Sequence, residues 1–164
     1  MRQIIPLESA PARHAGGPLF PHGDPPIRTD AVYVVYTSID DTLAAVRVAS
    51  DFAKPLGVPV TLIQIRTVPY SLPVDEPGGQ SPVETDAFIA RLRAEDLDIR
   101  VRVCLCRDER QAIPLAFTPH SLIVVAGQRR WWPTESERWH RMLEAAGHFI
   151  VFVDTSGHKE KNDA

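Results

Sequence analysis

Arg129-Arg130-Trp131-Trp132 is the densest cluster of binding chemistry in the chain. Two guanidinium groups can grip a phosphate or a carboxylate bidentately, and indole faces stack on a base or a cation. Exposed aromatic surface of this size usually has a use. The alternatives are a ligand or partner site, or indoles packed under the loop or against the N-terminal residues with solvated arginines. Cys104 and Cys106 form a C-x-C pair whose thiols face the same side of a strand. This is not the C-x-x-C spacing of a redox or zinc site. Arg100, Arg102 and Arg107 are near enough in sequence to lower a thiol pKa, whereas simple packing asks nothing of them. His14, His22, His120, His140, His148 and His158 show no metal-ligand spacing, so neither a metal nor another cofactor is expected. No serine nucleophile elbow, P-loop or HxGH-type adenylyl-transfer motif occurs. A nucleophile or base with a credible partner is therefore missing, and the expectation is a protein that is not an enzyme.

The elements that must position these residues begin after residue 30. Ala31–Tyr36 is a β-branched and aromatic run that reads as a buried strand. A helix follows, capped by Asp40 or Asp41, with Ala45, Ala49, Phe52, Ala53 and Leu56 at helical spacing and Pro55 and Gly57 at its end. Val58–Arg66 is a second strand, and residues 67–80 form a Pro/Gly-rich loop. Ser81-Pro82-Val83-Glu84 has the form of a capping box opening a helix to about Glu95. Ile99–Leu105 alternates apolar residues with Arg100, Arg102 and Cys104, which suits a strand at a sheet edge. Asp108–Phe117 is a short helix limited by Pro114, and Leu122–Ala126 is a fourth strand, apolar on both faces. Thr134-Glu135-Ser136-Glu137 is another capping box, followed by Trp139, Met142, Leu143 and Ala146 as an apolar stripe and by Gly147 as a stop. Phe149–Val153 is the fifth strand.

Strands alternating with helices specify an α/β fold, a five-stranded mainly parallel sheet flanked by helices. Such sheets bind ligands at the carboxyl ends of central strands, where the strand order reverses. That rule selects Thr37–Asp41 after the first strand and Gly127–Trp132 after the fourth, with Thr37, Ser38, Gly127, Arg129, Arg130, Trp131 and Trp132 as the candidate ligand-binding residues.

The chain has 164 residues, 44% hydrophobic and 24% charged, with a net charge of −3. One domain is expected at this length. No basic field exists to hold nucleic acid or an anionic membrane, so neither is an expected partner. Two cysteines cannot make a disulfide scaffold. No apolar run approaches the roughly 18 residues of a membrane span, and the N-terminus lacks the apolar stretch of a secretory signal, so a cytoplasmic location is expected. Six of the 15 prolines lie in residues 1–30. Proline removes backbone donors, so neither a helix nor a central strand fits there. The expected division is a Pro-rich arm over 1–30, a domain over 31–154 and a polar tail over 155–164. Ile4, Ile5, Leu7, Leu19 and Phe20 are candidate anchors for the arm, on the domain or on a second copy.

Residues 31–153 resemble the universal stress protein family. The resemblance lies in AVYVVYTSIDDTLAAVRVASDFAKPLGVPVTLIQI and in the ending SLIVVAG…MLEAAGHFIVFV. It implies a strand order of 3-2-1-4-5 and a homodimer. The family's nucleotide-binding members use a glycine, two residues, a second glycine, nine residues, then glycine with Ser or Thr. Glycines let backbone amides approach phosphate, and the hydroxyl adds a donor. Those positions fall here on Gly127, Arg130, His140 and Arg141, and only the first matches. The family's aspartate after the first strand falls on Thr37. Asp40-Asp41 is also similar to the acidic pair of phospho-receiver domains. That class needs an aspartate ending strand three and a lysine ending strand five, where Leu105-Cys106 and Val153-Asp154 stand.

The expectation is a non-enzymatic stress-response module that acts through partner binding and forms a homodimer through strand 149–153. It does not hold ATP by the family's glycine route. The alternative is a sensor of a small anionic or nucleotide ligand that uses Arg129–Trp132.

Overall fold

A computed structural model describes residues 4–6, 30–71 and 82–157, with the side chains of 4–6 and 82–85 left out. The elements in chain order are β1 (Ile4–Pro6), β2 (Val32–Val35), α1 (Ile39–Leu56), β3 (Val60–Thr67), α2 (Pro82–Ala94), β4 (Ile99–Cys106), α3 (Glu109–Ala116), β5 (Leu122–Gly127), α4 (Glu135–Ala145) and β6 (Phe149–Asp154). The sheet order is β1-β4-β3-β2-β5-β6. The five domain strands β2 to β6 are all parallel to their neighbours and stand in the expected order 3-2-1-4-5.

β1 adds a strand that the sequence reading did not specify. It runs antiparallel to β4, with Ile4 opposite Cys104 and Pro6 opposite Arg102. β4 is therefore not the outermost strand. Arg102, Cys104 and Cys106 share one face of β4, exposed at Arg102 and buried in the core at both cysteines, so the alternation marks where that face leaves the core and not a free edge. Proline at the end of a three-residue outer strand is where that residue is tolerated. The remainder of the arm, residues 1–3 and 7–29, lies outside the described residues, as do Ser81 and most of the loop before it.

Two apolar layers sandwich the sheet. On one face, Leu43, Val46, Ala49 and Ala53 of α1 and Phe88 and Leu92 of α2 cover Val32, Val34, Leu62 and Val124. On the other, Ala112, Ile113 and Ala116 of α3 and Trp139 and Leu143 of α4 cover Tyr33, Val35, Ile63, Ile123 and Val125. Alanines along α1 let it lie close to the strands. Phe52 falls at the border of that stripe and is exposed, not buried as the spacing predicts. α1 starts at Ser38, whose side chain accepts the Asp41 N–H. Asp40 and Asp41 are not the cap; they occupy the first turn, where carboxylates favour the helix dipole. Gly57 ends α1 at φ 64°, a left-handed cap. The ion pairs Arg47–Glu95 (2.5 Å) and Arg91–Asp40 (2.7 Å) join α2 to α1, but their exposure keeps each worth little.

Candidate functional site

The strand order reverses between β2 and β5, and a cavity of about 310 Å³ lies at their carboxyl ends. Thr37 and Ser38 reach it from β2, Gln128 and Arg130 from β5, Asp41 from α1, and Thr134, Glu135 and Ser136 from the start of α4. The predicted residues Thr37, Ser38 and Arg130 are thus brought together. Gly127 ends β5 beside them. Arg129, Trp131 and Trp132 are not part of the cavity wall.

Most donors here are already used within the protein. The Thr37 hydroxyl donates to the Ala126 carbonyl at 3.1 Å, and the Thr37 N–H donates to Thr42 Oγ1 at 3.2 Å. Ser38 Oγ donates to Asp41 Oδ2 at 2.8 Å, and Asp41 Oδ1 accepts from the Thr155 hydroxyl at 2.5 Å. The start of α4 is closed by a capping box: Thr134 Oγ1 accepts the Glu137 N–H at 3.3 Å and Glu137 Oε2 accepts the Thr134 N–H at 3.2 Å. Two helix N-termini, the usual places for a phosphate, face the cavity. Each is served by acidic residues of its own first turn, Asp40 and Asp41 in α1 and Glu135 and Glu137 in α4.

Gly127 has a steric purpose. A Cβ built there would lie within 3.0 Å of both Oγ and Cβ of Ser136. The glycine lets α4 start directly over the end of β5. Its N–H is not needed by a phosphate to explain why glycine stands there.

The loop after Gly127 splits in two directions. Arg129 sits with its guanidinium 5.3 Å from the centroid of the Phe152 ring, and His140 stacks on that same ring at 5.7 Å. Asp154 is held below the usual carboxylate range by the Ser156 hydroxyl and N–H, with a further bond from the Arg129 N–H. Arg130 donates to Gln128 Oε1 at 2.9 Å and lies 5.8 Å from the Trp132 ring. Trp131 is 90% exposed and Trp132 is 47% exposed, edge-to-face with one another. Packing of both indoles beneath the loop is therefore not what happens among the described residues.

Both thiols are buried, and burial raises their pKa values; Cys106 is pushed up to about 11, with Cys104, Glu109 and Asp108 adding to the shift. Of the two readings of the C-x-C pair, simple packing holds, and no arginine lowers either thiol. Arg107 donates to the Val68 and Pro69 carbonyls, and Arg102 faces solvent.

The switch-point ranges contained Asp41 and Gln128 without singling them out, and sequence reasoning missed Thr134, Glu135 and Ser136 as cavity residues. A capping box that follows the switch-point loop must put its first turn in the crevice, and that signal was present for Thr134–Ser136. Nothing local marks Thr155 as a partner of Asp41. Chemically the cavity offers one arginine against two carboxylates, Asp41 and Glu135. That set suits a small polar molecule or the polar rim of a partner better than a polyphosphate.

No protein-family model matches the chain, and no curated protein sequence matches it. Among solved structures, a universal stress protein from Archaeoglobus fulgidus is similar over 76% of this chain and 93% of its own, with 15% identity and a TM-score of 0.57. A protein from the universal stress protein family of Burkholderia pseudomallei is similar over 79% of this chain and 98% of its own, with 18% identity and a TM-score of 0.44. The first likeness shows that this chain has the universal stress protein fold.

Proposed function

We propose that the chain is a non-enzymatic module of the universal stress type that works by self-association and partner binding. The observation that carries this is β6. Its outer edge has no partner strand among the described residues, and Phe149 to Val153 are all only half-buried. An open apolar edge invites strand pairing. Two copies meeting about a two-fold axis satisfy it in a closed, self-limiting way. ATP is not its ligand by the glycine route, since Asp41 and Glu135 put negative charge where the phosphates would sit.

Sedimentation equilibrium tests the pairing. At about 50 µM, far above a dissociation constant of about 1 µM, the protein should be a dimer, and Val151→Lys should make it a monomer or an aggregate. A monomeric wild type at that concentration removes the interface. Calorimetry with ATP and Mg²⁺ should show no micromolar binding, and a stoichiometric isotherm would overturn that part.

A second reading is favoured by Arg130, which lines the cavity beside the exposed Trp132. On this reading the protein senses a small anion through Arg129–Trp132. A melting-temperature screen separates the two, because a ligand at about 100 times its dissociation constant adds about 2.7 kcal/mol. A hit whose effect disappears in the Arg129→Ala, Arg130→Ala double variant supports the sensor.

A further inference from the structure

A larger groove of about 580 Å³ lies between α3 and α4, away from the switch point. Its floor is apolar and continuous with the core, formed by Ile113, Pro114 and Phe117 from the α3 side and Met142 and Ala145 from α4. Its size falls within the roughly 300–1,000 Å³ of small-molecule sites.

Charge around this groove is one-sided. Arg110 of α3 and Arg141 of α4 both line it. Neither guanidinium meets a carboxylate among the described residues. Glu109, the residue before Arg110, is taken by Arg138 at 3.0 Å. Arg110 and Arg141 lie about 9 and 6 Å of helix rise before the C-terminal ends of α3 and α4, so the positive charge sits away from the end of the groove where those helices finish.

The end where the helices finish holds a single donor. His148 is buried, and its Nδ1 accepts the Ser121 N–H at 3.3 Å. That assigns the ring proton to Nε2, which has no protein partner among the described residues and belongs to the groove lining. Burial, reinforced by His120, holds the His148 pKa below its ordinary value, so the ring is a neutral donor near pH 7.

We infer that the groove binds an amphipathic organic anion: an apolar body on Ile113, Phe117 and Met142, with a single carboxylate or sulfonate head held by Arg110 and Arg141. The arrangement of an apolar floor, two unpaired cations at one end and one neutral donor at the other matches that chemistry. A polyanion would leave the floor unused, and a neutral hydrocarbon would leave both arginines without a counter-charge. The inference does not depend on the β6 edge or on the switch-point cavity.

The test uses the full chain and two probes. The first is anilinonaphthalene sulfonate, whose emission rises in apolar surroundings. The second is a series of straight-chain alkanoates followed by calorimetry and by displacement of the dye. The expected result is one saturable site, with affinity rising up to about fourfold per added methylene, the equivalent of about 0.8 kcal/mol. Arg110→Glu with Arg141→Glu should weaken both probes by tenfold or more, since charge-assisted contacts of this kind are each worth about tenfold or more. Ala145→Phe fills the groove from an exposed position and should abolish dye binding with the far-ultraviolet spectrum and melting temperature preserved. Absence of saturable binding to the full chain overturns the proposal, whether another copy or residues 7–29 cover the groove. Binding that survives both variants unchanged overturns it as well, because the site is then elsewhere.

Discussion

Gly127→Ala isolates the close approach of α4 to β5. The new methyl would lie within 3.0 Å of both Oγ and Cβ of Ser136. A rotamer change can move the Oγ but not the Cβ, so the first turn of α4 or the end of β5 has to shift. Gly127 is not in the left-handed region, so no backbone strain is added. The effect is overpacking of a buried position, at about 1–3 kcal/mol. For a chain of this size that lowers Tm by roughly 2–12 °C, at about 2–4 °C per kcal/mol. Urea unfolding should show the midpoint falling at constant slope. The second residue sharpens the test. Ser136→Ala keeps the Cβ and should not relieve the clash, whereas Ser136→Gly removes both offending atoms. The Gly127→Ala, Ser136→Gly double variant should therefore recover most of the loss, less the roughly 0.5–1 kcal/mol of a glycine within a helix. The double-mutant coupling is the readout. If Gly127→Ala stays within about 0.5 kcal/mol of wild type, or if Ser136→Ala rescues as well as Ser136→Gly, the steric account of this glycine is refuted.

The remaining predictions concern two titrating groups. His148 has a native pKa below 6.5, so between the two values the unfolded chain binds the extra proton and stability rises with pH. The urea midpoint should fall as pH is lowered from about 7.5 to about 5.5, and His148→Gln should flatten that slope; an unchanged slope in the variant assigns the proton to another group. Cys106, pushed up to about 11, and buried Cys104 should react with an aromatic disulfide reagent at pH 8 only after denaturation. Fast reaction of the native protein would show that the thiols are reached by solvent.

The strands were legible because Val32–Val35 and Leu122–Gly127 carry apolar side chains to both faces, as central parallel strands must. Gly57 and the Thr134–Glu137 box fixed two helix ends because both signals are local. The start of α1 was read two or three residues late, since Ser38, Asp40 and Asp41 are all good caps. What selects Ser38 is the engagement of Asp41 by Thr155, a partner 114 residues away. Thr37, Ser38 and Arg130 converge because the switch-point rule depends on strand order alone. Arg129, Trp131 and Trp132 diverge because the direction of each side chain in an irregular loop depends on neighbours such as Phe152 that only the fold supplies. The thiols are packed, as the plainer reading of the C-x-C pair had it, and their burial follows from lying on the covered end of β4.

β1 has a consequence in the language of polymer chemistry. It occupies the outside of β4 opposite Arg102–Cys104, is three residues long and ends on a proline whose nitrogen carries no hydrogen. A further strand would find little to pair with on that side. If β6 pairs with a second copy as proposed, each molecule is monofunctional for sheet extension, open at β6 and stopped at β1. Monofunctional units couple once and terminate, whereas units reactive at both ends grow without limit. The three residues Ile4–Pro6 thus act as a chain stopper on that side of the sheet.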